Sequence, residues 1–504
     1  MILDKIFVFF KKNFSRKDWL FIFLLISLYF LTRLINIEKF PIFNDEGIYI
    51  QWAKTAWRDA SWRFISLTDG KQPLQTWATI PLLKMFPTNA LLAGRLFGVA
   101  SGFFSLIGLF CLLFILFNKR TAYIGSLLYI FTPYFLFYDR LAIMDSAVNT
   151  AFIWILFFSI ALSKKIRFDV ALLFGLVAGL SLLTKSSVQV FIVLAALCPV
   201  LFLFNNDSHQ KKIKYVVNFF FLYLIVVGLA FVIYNIQRLS PFLHFVSEKN
   251  KVFLLSFSEF VNSPFQVFFQ NLKTLPVYVF WEMGFVLAIT GIIGWFFLWK
   301  KGKNLFIYFS LWTLLLYIGV CLFTRILYPR YLIFFASLMT ISTSYLFSYF
   351  KNKINVLLSV LLLLSFLLFD YFIFFDIKNV PFPPVDRGQY LEGWTAGWGM
   401  REIMDFAKTK SKEKPVVILA EGDFGMSGDV LNVFLNKDDR IFIKGYWPLT
   451  GKEIIDNYQE LKKSFVYIVI SHQDILPQYL NNLNLIKKFD KPGKKSAIYL
   501  FELK

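Results

Sequence analysis

Apolar positions in this chain come mostly in long unbroken runs, not at the spacing of an amphipathic helix or strand. The first run covers residues 19–37. Others follow at 91–117, 121–138, 147–163, 168–184, 187–204, 215–235, 279–299, 304–323, 331–349 and 354–376. As helices these are of the length that crosses about 30 Å of hydrocarbon, so the pattern predicts about eleven transmembrane helices. The segments "KKNFSRK", "NKR", "SKKIR", "HQKKIK", "KKGKN" and "KNK" mark one side of the membrane and alternate correctly along the count. The positive-inside rule puts that side, and the N-terminus, in the cytoplasm. An odd number of spans puts the C-terminus outside.

Two outside loops are long, at about 38–90 and 236–278. In the first, "QWAKTAWRDASWRF" can place Trp52, Ala53, Ala56, Trp57 and Ala60 on one helical face, with Lys54, Arg58 and Asp59 elsewhere. That pattern suits a helix lying in the membrane interface. In the second, "FLLSFSEFVNSPFQVFFQ" fits an interfacial helix and an ordinary packed loop equally well. The pattern changes after residue 376. The Pro-rich "NVPFPPVDRG" leads out of the last span. "VVILA", "RIFIKGY" and "FVYIVISH" then read as short strands, alternating with helical stretches such as "GKEIIDNYQELKKS". The expectation is a polytopic α-helical membrane domain over 1–376 and a small extracytoplasmic α/β domain over 377–504. "GDFGMSG" reads as a turn rather than a nucleotide site.

Composition sharpens this picture. Of 504 residues, 57% are hydrophobic and 64 are Phe, more large apolar groups than a solvated surface can carry. The net charge of +21 would suggest nucleic acid in a soluble protein. Here much of the Lys and Arg lies in short clusters between apolar runs, and nucleic acid is rejected as a partner. Cys111, Cys198 and Cys321 fall inside apolar runs and read as packing residues. The three histidines are far apart, which argues against a multi-histidine metal site. No small-residue cleavage site follows the first run, so it reads as an uncleaved span.

Four polar clusters are placed at the outer face. Asp45 and Glu46, with Tyr49, follow the first span. Such carboxylates commonly only solvate a helix end, but one held against a low-dielectric surface can be tuned into a base. Lys71 in "DGKQPLQTW" is either a snorkelling lysine or a cation for a phosphate. Asp139, Arg140 and Asp145 fall at the junction of the third and fourth spans. Asp145 is either an N-cap, with Ser146 as a rival, or a functional acid at membrane depth. Arg325 and Arg330 in "FTRILYPRYLIF" sit on the side the positive-inside rule disfavours, which an anionic partner would explain. Lys185 is a weaker example. Outward carboxylates and outward cations together fit a lipid-linked phosphate substrate.

The order of these motifs resembles the polytopic GT-C glycosyltransferases that use polyprenyl-phosphate sugars, among them the protein O-mannosyltransferases and the lipid A aminoarabinose transferase. The matching elements are Asp45, Glu46 and Tyr49 in the first outer loop, "KQPL" at 71–74, and Arg95 with Leu96. Arg140 with Asp145, "GLSLLTK" ending at Lys185, and Arg330 with Tyr331 complete the set, over about residues 20–350. The resemblance implies inverting transfer of a sugar to an extracytoplasmic protein, lipid or glycan acceptor. It implies Asp45 as base, with Glu46 beside it, and Asp145 as a second acid. Lys71 and Arg330 would contact the donor phosphate, with Arg140, Tyr49 and Tyr331 around it. No cofactor is implied. Gln72 replaces the first Pro of the usual Pro-Pro pair, and Gly70 stands where some relatives carry an acid, which weakens any divalent-metal reading. The rival reading is a transporter or flippase of lipid-linked sugars, which calls for midplane charges and internal repeats that are not visible here. An oligosaccharyltransferase would carry a Trp-Trp-Asp element, which is absent. Trp394 and Trp398 are expected to dock the C-terminal domain on the membrane part, with sugar stacking as the alternative.

Overall fold

A computed structural model describes residues 13–203, 209–350, 353–473, 476–480 and 483–504. Lys11, Lys12 and Lys351 of the basic clusters lie outside the described residues.

Helix α1 (Arg16–Leu34) opens on a capping box. Ser15 Oγ accepts from the Asp18 N–H at 3.3 Å, and the Asp18 carboxylate accepts the Ser15 N–H at 2.8 Å. The first long loop holds α2 (Asn44–Arg58) and α3 (Leu74–Met85). The bundle continues through α4 (Ala90–Leu116), α5 (Lys119–Phe131), α6 (Pro133–Tyr138), α7 (Asp145–Lys164), α8 (Phe168–Leu182), α9 (Val188–Ala195) and α10 (His209–Tyr234). After the second long loop, with α11 (Phe245–Phe253), come α12 (Phe268–Met283), α13 (Phe285–Lys301), α14 (Lys303–Phe323), α15 (Ile333–Tyr349) and α16 (Lys353–Phe375).

Among the described residues, six helices are long and apolar enough to cross a membrane: α4, α7, α10, α14, α15 and α16, with short turns extending α10 and α15. The chain is a multi-pass membrane protein. α12 and α13 qualify as a seventh span only together, and they are bent by 113°. The run at 279–299 is therefore not one straight helix. Gly284 breaks it at φ +83°, a left-handed value that glycine adopts without strain. The run at 121–138 also divides. Pro133 has no N–H to continue α5 and pushes Thr132 to an extended ψ of 120°, so α6 restarts as a short, wholly buried helix. α15 is the hub, with 89% of its apolar window buried; α16 is peripheral at 28%. Of the hydroxyls that α15 brings inward, Thr340, Ser342 and Ser344 donate to its own backbone, as with Thr340 to the Ala336 carbonyl at 2.8 Å, while Ser337 donates to the Asn149 side chain at 2.6 Å and Thr343 pairs with Thr290.

The second long loop forms α11 and a shorter helix at Phe257–Asn262. Phe257, Val261, Phe265 and Phe269 are exposed there, as a membrane-interface segment requires. α2 departs from the interfacial expectation. It ends at Arg58, so Ala60 falls outside it, and Trp52, Ala53, Ala56 and Lys54 are all buried. What covers them is the C-terminal region. Lys54 Nζ donates to the Asn432 and Leu435 carbonyls, at 2.5 and 2.9 Å. Lys54 is amphipathic enough to bury its stem where a carbonyl cluster meets its head.

The C-terminal region joins the first loop through a two-residue antiparallel pair, β1 (Ile42–Phe43) with β2 (Ala396–Gly397). α17 (Met400–Ser411) leads to β3 (Val416–Glu421). α18 (Ser427–Val433), β4 (Ile441–Tyr446), β5 (Phe465–Ile470), β6 (Asn484–Asp490) and β7 (Ala497–Leu503) follow. The sheet order is β4-β3-β5-β7-β6, parallel among β4, β3 and β5 and antiparallel beyond. The three strands expected from the sequence are the three parallel ones, and β3 is buried along its whole length, as a central parallel strand should be.

Candidate functional site

The site is built on the first turn of α2. Consecutive residues of a helix point about 100° apart, so Asp45 and Glu46 diverge. Glu46 turns inward and is fully buried. Arg95 of α4 grips it through both arms, Nε to Oε1 at 2.9 Å and Nη2 to Oε2 at 2.8 Å. The Phe43 and Ala142 N–H groups donate to it at 3.0 and 2.8 Å. Arg95 also donates to the Ile37 and Phe40 carbonyls at 2.6 and 3.1 Å. Every strong acceptor direction of Glu46 is used in tying the loop start to α4 and to the turn before α7. That geometry is structural, not that of a group free to take a proton.

Asp45 turns the other way and meets Arg330 Nη1 at 2.9 Å, across 285 positions of sequence. Arg330 is buried among the Phe43, Tyr328 and Tyr331 rings, at 5.3, 5.5 and 5.3 Å. Its Nε is buried without a partner. Burial pushes the Asp45 carboxyl up. The charges of Arg330 and Lys71, the Arg330 hydrogen bond and the charge of Lys249 outweigh it and hold Asp45 below the usual carboxylate range. Asp45 is therefore ionised at neutral pH.

Lys71 Nζ lies over the Tyr49 and Trp52 rings, at 4.8 and 5.5 Å, and pairs with Asp69 at 3.4 Å. Asp69 also pairs with Lys249 of α11 at 2.6 Å, which brings a third cation to the site. Burial, then the Asp45 and Asp145 charges, push the Tyr49 hydroxyl well above its ordinary value, so it stays a neutral donor. Asp145, in the first turn of α7, is buried and pairs with Lys185 at 3.2 Å. Lys185 lies 4.0 Å from the Tyr331 ring centroid. Neither Asp145 nor Ser146 caps α7. Met144 occupies that position without a side-chain bond, and Ser146 donates to Asp139 at 2.8 Å.

Seven of the sequence-singled residues thus meet in one place: Asp45, Tyr49, Lys71, Asp145, Lys185, Arg330 and Tyr331. Arg140 does not join them. Its Nη1 donates to the Thr32 and Arg33 carbonyls at 2.8 and 3.3 Å, and its guanidinium lies over Phe374. It closes the C-terminal end of α1, where carbonyls want donors. Asp139 is likewise structural, in a buried pair with Arg33 at 3.1 Å, and Arg325 pairs with Glu259.

Two acids were missed in the sequence. Asp386, fully buried, accepts a hydrogen bond from the Tyr138 hydroxyl, and the carboxyl of Glu282 in the last turn of α12 lies against it. Burial pushes Asp386 up to about 7, against the Tyr138 hydrogen bond and the Arg330 charge. Asp386 stands behind Arg330, within reach of its charge. Glu282 carried a signal, a lone acid inside the apolar run at 279–299, of the kind that marks function or a partner. Asp386 did not, because "PPVDRG" reads as an exposed exit. Lys249 sat in an unpatterned loop. Trp398 donates to the Leu391 carbonyl at 2.8 Å within the C-terminal region and packs against the large core cluster, while Trp394 faces His472.

Residues 71–234 match the profile of the family described as dolichyl-phosphate-mannose-protein mannosyltransferase. No curated protein matches the chain in sequence. ArnT from Cupriavidus metallidurans in its apo state is similar in structure, with a TM-score of 0.56 at 12% identity over 96% of this chain and 97% of ArnT. The same protein bound to undecaprenyl phosphate aligns at 0.58 and 12% identity, over 97% and 98%. The oligosaccharyltransferase of Archaeoglobus fulgidus in its apo form aligns at 0.51 and 12%, over 90% of this chain and 70% of that one. The fold of this chain is that of ArnT and of the archaeal oligosaccharyltransferase, and residues 71–234 carry the sequence pattern of the dolichyl-phosphate-mannose-protein mannosyltransferase family.

Proposed function

We propose that this protein moves a sugar from a polyprenyl-phosphate donor to an acceptor hydroxyl, with inversion, and that Asp45 is the base. The observation that carries this reading is the ionised Asp45 carboxylate set against three cations, Arg330, Lys71 and Lys249. The topology that goes with it has a cytoplasmic N-terminus, about eleven crossings over 1–376, and an extracytoplasmic domain at 377–504. The solved structures similar to it include ArnT bound to undecaprenyl phosphate, the ligand class the cations suit.

In the ground state Arg330 lowers the proton affinity of Asp45. A donor phosphate entering beside Lys71 competes for Arg330. As Arg330 swings its charge toward the phosphate, Asp45 regains basicity when the acceptor hydroxyl is in place. The acceptor oxygen then attacks the anomeric carbon and Asp45 takes its proton. The bond from the anomeric carbon to the phosphate oxygen breaks with its electron pair on that oxygen, and the polyprenyl phosphate leaves neutralised by Arg330, Lys71 and Lys249. Asp145, paired with the Lys185 that lies over the Tyr331 ring, positions the donor. Glu46 and Arg140 hold the scaffold.

The test is a transfer assay on purified protein in lipid nanodiscs with a panel of polyprenyl-phosphate sugars. Release of polyprenyl phosphate by the wild type, and its loss in Asp45→Asn, is the expected result. Full activity in Asp45→Asn would remove Asp45 from this role. Lipid binding without turnover for any donor would favour a transporter.

A further inference from the structure

The parallel strands β3, β4 and β5 end on one edge of the C-terminal sheet, and each end carries a side chain that needs explaining. After β3 comes Asp423 with Phe424, after β4 Trp447, after β5 His472. The chain runs outward from β3 to β4 and then back past β3 to β5, so its winding reverses beside β3. The crevice outside the carboxyl ends of strands at such a reversal is where open α/β sheets bind ligands.

Here the crevice is walled by aromatic rings that do no core packing. The His472 imidazole lies between two indoles, 4.7 Å from Trp394 and 4.8 Å from Trp447. Trp394 is 41% exposed and Trp447 59%. The mount beneath them is rigid. Buried Glu421 accepts the His472 N–H at 2.7 Å, the Ser471 N–H at 2.8 Å and the Gln473 side-chain amide at 2.8 Å. Asp423 adds an exposed carboxylate. Gly445, two residues before Trp447, permits its approach, since a Cβ there would lie 2.5 Å from the Asp423 Cβ. The crevice borders the Asp45 site. Phe424 is 54% exposed and 6.0 Å from Trp52, the ring beneath Lys71. Asn44, next to Asp45, bonds the Gly425 and Thr395 carbonyls at 3.2 and 3.0 Å.

Exposed indole faces beside a carboxylate fit a sugar ring, whose C–H face stacks on the indole while its hydroxyls donate to the carboxylate. An acyl chain would leave Asp423 without a partner. We propose that Trp394, Trp447 and Asp423 bind a saccharide, and that this saccharide is the acceptor presented to Asp45. The second half rests on the transferase reading above.

The experiment uses the full chain in nanodiscs, titrated with chitotetraose, mannotetraose and maltotetraose and read by tryptophan fluorescence and saturation-transfer NMR. Trp447→Ala, Trp394→Ala and Asp423→Asn are compared with Trp299→Ala, at an exposed residue remote from the site. At least one oligosaccharide binds saturably, and Trp447→Ala weakens it about tenfold while Trp299→Ala does not. In the presence of donor the same oligosaccharide speeds polyprenyl phosphate release in the wild type but not in Trp447→Ala. If no oligosaccharide binds, or if binding ignores both indoles, the saccharide site is overturned. Protection of the same indoles by the lipid headgroups of the disc also overturns it. Indole-dependent saccharide binding with no phosphate release for any donor keeps the site and sinks the transferase reading with its acceptor role.

Discussion

Asp45 and Glu46 are neighbours in sequence with opposite circumstances. Asp45 shares a partly open site with Arg330 and with the lysines that pair with Asp69, and Glu46 is locked in a fully buried fork with Arg95. Their amides should therefore fail differently. Asp45→Asn removes the base and should lower transfer by about 10²–10⁴-fold with little change in melting temperature. Glu46→Gln leaves a buried guanidinium half-paired, which costs about 3–5 kcal/mol. It should lower the melting temperature sharply, while the protein that remains folded transfers at near the wild-type rate. Thermal unfolding read beside phosphate release separates the two. Asp386 predicts a pH effect. With its folded value pushed up to about 7 and an unfolded value of about 3.9, the folded state holds a proton that the unfolded state releases between those pH values. The contribution of Asp386 is therefore greatest below about pH 4, falls as pH rises and is lost above about 7. Asp386→Asn should flatten that decline in melting curves taken across the window; an unchanged slope would assign it to another group.

Among the elements, α11 is the one whose placement bears on activity. It sits over the "KQPL" turn because Gly70 lets it. Gly70 is at φ +65°, and a Cβ there would lie 2.4 Å from the Phe245 carbonyl oxygen. Gly70→Ala should lift α11, separate Lys249 from Asp69 and raise the donor KM several-fold more than it lowers kcat. Steady-state kinetics across donor concentrations would show it, and an unchanged KM would place Lys249 outside the donor site. The elements also mark how far local pattern reaches. Apolar runs and the three parallel strands are legible because each depends on a short stretch of side chains. The division at Thr132–Pro133 had a signal in the proline, and the break at Gly284 had one in a glycine beside a lone glutamate. The burial of α2 had none, since an apolar face looks the same whether lipid or protein covers it.

At the scale of the whole molecule, the membrane bundle and the C-terminal region share one hydrophobic core. Ile42, Ile50, Ala53, Leu83 and Leu91 from the first loop and α4 pack with Met400, Ile403, Val416, Ile418, Val430 and Leu431. A chain ending at Lys378 would expose that face and lose β2, the partner of β1 beside Asp45. It should not give monodisperse protein on size-exclusion in detergent, and the full chain should melt in a single transition. A well-behaved truncated protein with intact lipid binding would show instead that the bundle stands alone.

The sequence by itself determined a multi-pass helical membrane protein with a C-terminal α/β region, because span length, basic flanks and strand alternation are written in contiguous residues. It also marked most of the residues that meet around Asp45, since charges at the ends of apolar runs are conspicuous. Only the tertiary structure decided which charges face one another. Asp45 and Arg330 meet across nearly three hundred residues, Arg140 turns back to α1, Glu46 spends its acceptors on Arg95, and Asp386 finds Tyr138 and Glu282. Those pairings depend on the direction each helix face takes once the bundle closes, which no local pattern of polar and apolar positions records.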